Sequence, residues 1–293
     1  MQCRKSRVIP LVERGGRRGA GLKIYSDPRV AERQAAGLRL GAAMSNFPGC
    51  AAPVLYAHDE DAASLLVEWV PAPHLEWVLV RAAVAPSRHR ATLVRVGTWL
   101  RNFHSLSGIC DAPFDAARYT TLLAARIASA PAGARELASD AVWTRSLRWL
   151  ESRLDRLDGR PVPVACIHGD FTFTNILVSP ETVTGIDIWA DRRLPLVEDL
   201  ARMFVYLAMG DLFPLRARVG QVPLGERRAQ QSLLEGYGGL DERSSSVWEA
   251  MVCFEAVARW LALSDRLARR SSPTELWKRA GVRGVLTSIV GRG

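Results

Sequence analysis

The chain has 293 residues, of which 48% are hydrophobic and 24% charged, and it carries a formal net charge of +9. This balance is that of an ordinary folded protein and excludes a disordered or fibrous chain, while the length suits one large domain or two lobes sharing a cleft. No apolar run reaches the about 18 residues that a membrane-spanning helix needs, and Met1 to Lys5 leads into no apolar signal core, so a cytoplasmic protein without a transmembrane segment is expected.

From the start, two β-like runs, Val8 to Val12 and Leu22 to Tyr25, flank a turn-rich stretch from Arg14 to Gly19, which reads as a hairpin. Pro28 favours a first helical turn, and Val30, Ala31, Gln34, Ala35 and Leu38 recur at helical spacing up to about Ala43. Two short strands are expected next, Ala52 to Tyr56 and Ser64 to Val70, closed by Pro71 and Pro73. The first 70 or so residues thus read as a small α+β lobe. After Pro86 the pattern becomes one of long amphipathic helices, Ser87 to Leu106, Phe114 to Ala128 and Ala134 to Leu157. A run from Val162 to Ile188 interrupts them with two strand-like pieces, Asn175 to Val178 and Val183 to Ile188, joined by Ser179-Pro180-Glu181. Helical spacing then returns from Leu196 to the end.

The cysteines, Cys3, Cys50, Cys110, Cys166 and Cys253, are odd in number and contain no Cys-x-x-Cys pair, so neither a disulfide framework nor a zinc site is implied. The positive charge is almost all arginine, with lysine only at Lys5, Lys23 and Lys278. A solvated basic surface accounts for it better than a nucleic-acid partner. Two basic stretches, Arg4 to Arg18 and Arg266 to Arg283, leave contact with an anionic substrate or a membrane surface open. Nothing in the sequence sets the oligomeric state.

The stretch that carries chemistry is His168-Gly169-Asp170-Phe171-Thr172-Phe173-Thr174-Asn175, with Asp187 following in Gly185-Ile186-Asp187-Ile188-Trp189. It sets an Asp, an Asn and a second Asp on a loop and its two flanking strands. Phosphoryl transfer from ATP needs hard oxygen ligands for magnesium and a carboxylate to orient the attacking hydroxyl and take its proton. The stretch offers both.

In order and spacing these residues resemble the aminoglycoside phosphotransferase and choline kinase family, whose loop reads His-x-Asp-x-x-x-x-Asn with a metal-binding Asp downstream. The resemblance implies an α+β, bilobal protein-kinase-like fold. It has a small β-rich nucleotide-binding lobe (residues 1–70) and a larger, mainly helical catalytic and substrate-binding lobe (residues 71–293). It implies Asp170 as catalytic base, His168 as support of the loop, Asn175 and Asp187 as magnesium ligands, and ATP as phosphoryl donor. Lys23, on its strand, looks like the family lysine on the ATP phosphates, and Glu32, on the next helix, like its ion-pair partner. The segment Glu68-Trp69-Val70 resembles the linker between lobes that hydrogen-bonds adenine, so Glu68 and Val70 join the nucleotide site. Asp199 matches an acid that braces the loop. The glycines of Arg14 to Gly21 read as a hairpin turn rather than a phosphate cradle.

The implied partner is a hydroxylated small molecule. A polycationic aminoglycoside calls for clustered carboxylates, and Asp211, Glu226, Glu235, Asp241, Glu242, Glu249 and Glu255 are instead scattered among arginines. An anionic cell-envelope sugar suits the charge better. A pseudokinase-type binding protein that keeps the fold without turnover is the alternative from another class.

Overall fold

The computed structural model describes residues 7–12, 18–82, 85–189, 192–210, 224–270 and 272–291. Residues 13–17 of the expected turn lie outside the described residues, as do Arg4, Lys5 and Asp211 and the side chain of Glu226. The chain divides into two compact units. The first is Met1–Ile109, Ala165–Leu194 and Ser232–Gly239, and the second is Cys110–Val164, Pro195–Gln231 and Leu240–Gly293.

In the first unit β1 (Arg7–Val12) and β2 (Arg18–Ile24) pair antiparallel, as the hairpin reading expects. With β4 (Leu55–Asp59) and β5 (Ser64–Glu68) they form a four-stranded sheet in the order β1-β2-β5-β4. Helix α1 (Pro28–Gly41) starts where Asp27 accepts the Arg29 N–H at 3.1 Å and Pro28 fills the first turn. Its stripe Ala31, Ala35 and Leu38 packs on Tyr25, Ala63, Leu65 and Val67 of the sheet side. A second sheet sets β3 (Cys50–Ala51) parallel to β9 (Val183–Gly185), with β8 (Ile176–Val178) antiparallel beside it. Helix α2 (Leu75–Ala82), absent from the sequence reading, packs against the turn that precedes β8.

Helix α3 (Pro86–Ser105) meets the last turns of α8 (Leu224–Tyr237) at two glycines. A Cβ on Gly97 would lie 2.1 Å from the Leu233 carbonyl, and one on Gly236 1.9 Å from the Val94 carbonyl. Both backbones therefore touch, and any side chain at either glycine forces them apart.

The second unit is helical around one hydrophobic core: α4 (Ala116–Ser129), α5 (Ala132–Ala138), α6 (Ala141–Leu157), α7 (Val197–Gly210), α9 (Glu242–Arg269) and α10 (Pro273–Val290). Here β6 (Cys110–Pro113) pairs antiparallel with β7 (Pro161–Cys166), and with β10 (Arg193–Pro195) they form a three-stranded sheet of order β10-β7-β6. The long α9 packs on α5, α6, α7 and α10, with Trp260 and Phe254 fully buried. The single helix expected over Ala134 to Leu157 is two. Asp140 accepts the Trp143 N–H at 2.8 Å and so starts a new helix where the apolar spacing alone runs on.

Buried charge in this unit centres on Arg202. Its guanidinium lies 2.8 Å from Glu255 and 3.8 Å from Glu198, and the Tyr119 hydroxyl donates to Glu198 at 3.1 Å. Burial raises the Glu198 carboxyl above the ordinary glutamate range, against the pull of Arg202. Burial opposes ionisation of Glu255 too, but Arg202, aided by Arg126 and Arg259, outweighs it and holds that carboxyl below the range.

Candidate active site

The segment from His168 to Trp189 is closed on itself by backbone and side-chain bonds. Gly169 has φ +81°, a left-handed conformation that glycine adopts freely. A Cβ there would also stand 3.0 Å from the Trp189 Cβ. The turn lets the Trp189 N–H reach the His168 carbonyl at 2.8 Å. Asn175 ends a short 3-10 turn, Phe173–Asn175, held by its own N–H to the Thr172 carbonyl at 3.0 Å.

Asn175 is the joint of the arrangement. Its amide nitrogen donates to the Asp170 carbonyl at 2.9 Å and to the Asp170 carboxylate at 2.8 Å. Its carbonyl accepts the Ile186 N–H at 2.9 Å, which ties the residue before Asp187 to the same asparagine. Side chain and backbone of one buried residue thus fix both carboxylate-bearing positions relative to each other. Asp187 has φ +56°, uncommon for a residue with a Cβ, and its carboxylate pairs with the Lys23 ammonium.

Beneath the loop lies an aromatic cage. The imidazole of His168, fully buried, meets Trp99 and Phe171 edge-on at 5.9 and 5.6 Å between ring centres. Trp99 stacks on Phe103 at 5.2 Å and on Phe171 at 5.9 Å, and its indole N–H donates to the Ala51 carbonyl at 2.8 Å. The Asp170 N–H donates to His168 Nδ1 at 3.3 Å. His168 is thus joined to the Asp170 backbone. Gly185 completes the cage, because a Cβ there would lie 2.3 Å from the Trp99 ring.

Helix α1 holds the other side of the Asp187 segment. A Cβ on Gly37 would stand 2.2 Å from the Ile188 carbonyl, and the Arg33 guanidinium lies 5.2 Å from the centre of the Trp189 ring. Sequence reasoning missed Gly37, Gly185 and Trp99, since each works through residues remote in the chain.

The structure brings together five of the expected site residues: Lys23, His168, Asp170, Asn175 and Asp187. One expectation is corrected. Glu32 does not pair with Lys23 but with Arg39 at 3.3 Å and His58 at 3.4 Å. The cause is helical phase, since the buried positions of α1 include Ala31, Gln34, Ala35 and Leu38 and leave Glu32 exposed. Lys23 instead finds Asp187.

Glu68 is tied to Val54 twice, its N–H to the Val54 carbonyl at 2.8 Å and its carboxylate to the Val54 N–H at 3.1 Å. Val70 accepts the Ala72 N–H at 3.0 Å, and its own N–H has no partner among the described residues. Asp199 is fully buried in the first turn of α7.

The donor set fits a hard cation. The Asn175 amide oxygen accepts no hydrogen bond among the described residues once its nitrogen is committed to Asp170. The Asp187 side chain is 40% exposed and already holds a positive charge. An amide oxygen and a carboxylate are ligand types that magnesium takes.

The profile of the phosphotransferase enzyme family matches residues 11–229. A search of curated protein sequences returns no match. Among solved structures, a glucosamine kinase in complex with glucosamine, ADP and inorganic phosphate is similar at 18% identity and a TM-score of 0.58, over 94% of this chain and 74% of that one. A choline/ethanolamine kinase family protein from Mesorhizobium loti is similar at 14% identity and 0.61, over 99% and 94%. An amicoumacin kinase in complex with AMP-PNP and calcium is similar at 13% and 0.62, over 100% and 87%. At these identities the structures establish the fold, and the family profile establishes the membership. The chain belongs to the phosphotransferase enzyme family, has the α+β protein-kinase-like fold, and is a small-molecule phosphotransferase.

Proposed function

We propose that the enzyme transfers the γ-phosphoryl group of ATP to a hydroxyl of a small molecule, with Asp170 as the base that accepts the hydroxyl proton. The observation that carries this reading is the bridge from Asn175 to the Asp170 carboxylate at 2.8 Å. It orients a general base on a rigid turn beside two oxygen donors for a cation. Asp170 would take the proton as the new bond from oxygen to phosphorus forms and the bond to ADP breaks. Lys23 contacts the donor phosphates, and Val70 supplies a backbone donor to the base. Asn175 and Asp187 would hold magnesium, which would supply positive charge to neutralise the donor phosphates. His168 keeps the Asp170 backbone in place.

In this reading residues 1–70 form the nucleotide-binding lobe and residues 71–293 the catalytic and substrate-binding lobe. The enzyme works in the cytoplasm, where ATP is supplied, and nucleic acid is not its partner. The acceptor is an anionic or neutral hydroxylated compound, such as an envelope sugar, rather than a polycation. Three acids of the C-terminal region already have partners within the protein. Glu255 is buried on Arg202, Glu235 pairs with Arg90, and Asp241 caps α9 through the Ser244 N–H at 2.7 Å.

The test is ADP release by the purified enzyme with ATP, magnesium and a panel of acceptors: aminoglycosides, choline-like amines, neutral sugars and acidic sugars. Acceptor-dependent release with a sugar is expected. Release with no acceptor above the acceptor-free rate contradicts the proposal, and turnover confined to aminoglycosides contradicts the acceptor class.

A further inference from the structure

Away from the His168–Trp189 segment, three side chains able to bind a metal meet where helix α1 lies against the edge of the four-stranded sheet. Strand β4 is that edge, and its His58 pairs with Leu65 of β5. Directly paired residues of antiparallel strands share a face, so His58 lies on the Leu65 face, on which α1 packs. Glu32 comes from α1. Glu60 comes from the turn after β4, which is held by the Ala62 N–H on the Asp59 carboxylate at 2.8 Å and the Ala63 N–H on the Glu60 carbonyl at 3.2 Å. One ring nitrogen of His58 and one carboxylate oxygen from each of Glu32 and Glu60 all lie within 4.8 Å of one another.

His58 is the fixed member of the group, with a side chain only 5% exposed. Its Nδ1 faces the Glu32 carboxylate at 3.4 Å and the Arg39 guanidinium at 3.4 Å. Its Nε2 is buried and has no hydrogen-bond partner among the described residues. Buried polar atoms are rarely left in that state, and a bound ion on the ring is one account of it. The Glu60 carboxylate likewise has no partner among the described residues. Asp59, Glu60 and Asp61 form an exposed acidic run in a chain whose net charge is +9, so the local field opposes the overall one and draws cations to this corner.

The geometry points to a site for a divalent transition ion of the zinc type, held by the imidazole of His58 and the carboxylates of Glu32 and Glu60. An imidazole and carboxylates are donors that zinc takes. The imidazole also separates this group from the all-oxygen set of Asn175 and Asp187, which suits magnesium. Donor atoms around a tetrahedral zinc ion stand roughly 3.4 Å apart, and the two exposed glutamates close the difference by turning toward the ring. The ion would take the place of Arg39 on Glu32 and tie α1 to the edge strand. The site stands apart from the proposed function and does not depend on it.

The experiment titrates zinc chloride by calorimetry into the untagged, metal-free chain without nucleotide, and records melting curves with and without zinc. The proteins are the wild type, His58→Gln, Glu60→Gln and Arg39→Ala. The wild type is expected to bind zinc and to melt at a higher temperature with it, because a ligand of the native state alone stabilises that state by mass action. Excess magnesium is expected not to displace the zinc. His58→Gln and Glu60→Gln should each weaken zinc binding by about tenfold or more, whereas Arg39→Ala, which removes a competing cation, should bind zinc at least as tightly as the wild type. Glu60 is exposed on a turn, so its variant carries the test should His58→Gln not fold. A wild type that binds no zinc overturns the inference. Affinity and melting shift unchanged in both ligand variants would mean an adventitious ion only and overturn it too, as would weaker binding by Arg39→Ala.

Discussion

The ammonium of Lys23 rests on the carboxylate of Asp187, 164 residues further along the chain. The pair joins the four-stranded sheet to the segment that follows β9, and each partner is a residue with a proposed role toward the nucleotide. Lys23 neutralises the Asp187 carboxylate. Under the proposed function, Asp187 would exchange this positive partner for a cation when nucleotide binds.

Lys23→Met should therefore act on turnover far more than on folding. The Lys23 and Asp187 side chains are 15% and 40% exposed, so solvent screens the pair, and the stability cost is expected to be about 1 kcal/mol or less. Loss of the charge from the donor phosphates is expected to lower kcat/KM by about a hundredfold. Steady-state kinetics beside a urea melt checks both halves.

Gly185→Ala tests the cage under the His168–Asn175 loop. The added methyl would sit 2.3 Å from the Trp99 ring, so the ring must shift, at a cost of about 1–3 kcal/mol. Because Trp99 stacks on Phe171 and packs on His168, activity should fall as well. Trp99→Leu removes the obstacle, and the double variant is expected to lose less stability than the sum of the two single variants.

The two glutamates on Arg202 should respond in opposite ways. Glu255→Gln leaves the buried guanidinium without its closest counter-charge and is expected to cost about 3–5 kcal/mol. Glu198→Gln keeps an acceptor for the Tyr119 hydroxyl and removes a carboxylate whose ionisation burial disfavours, so its cost is expected to be about 1 kcal/mol or less. The pH dependence follows from the same shifts. The folded state holds the Glu198 proton above the ordinary glutamate pKa, so its contribution to stability falls as pH rises from that value through the raised one. The contribution of Glu255 is present above the ordinary value and is lost as pH falls through the lowered one. Glu198→Gln should flatten the decline on the alkaline side of the ordinary value, as read by melts across pH.

Gln34 is buried at 2% exposure, and its amide nitrogen has no hydrogen-bond partner among the described residues. Gln34→Met keeps the volume and removes that orphan donor, so the variant is expected to be more stable by about 1 kcal/mol. A melt that shows no gain would mean the amide is satisfied in solution.

The loop from His168 to Asn175 was legible because its parts are contiguous: His168, Asp170 and Asn175 fall within eight residues, and Asp187 follows two residues past the end of β9. The hairpin of β1 and β2, the start of α1 and the strands flanking Ser179 were likewise local signals of turn and cap. The partner of Lys23 was not legible. Choosing between Glu32 and Asp187 requires the rotation of α1 against the sheet, which is set by how Ala31, Ala35 and Leu38 fit on Leu65 and Val67. The same holds for Trp99, whose role depends on Phe171 and Gly185 arriving beneath it from another part of the chain. Helix α2 escaped notice for a different reason. It spans only Leu75–Ala82 and follows two prolines that read as the end of a strand.

The central claim is that Asp170 is the base of a phosphoryl transfer, and the most direct test is the single-turnover rate of Asp170→Asn with ATP and the accepted sugar. Asparagine preserves the shape of the residue while removing proton affinity. A fall of about a hundredfold or more with nucleotide affinity unchanged is the predicted result. Transfer at the wild-type rate in that variant contradicts the account.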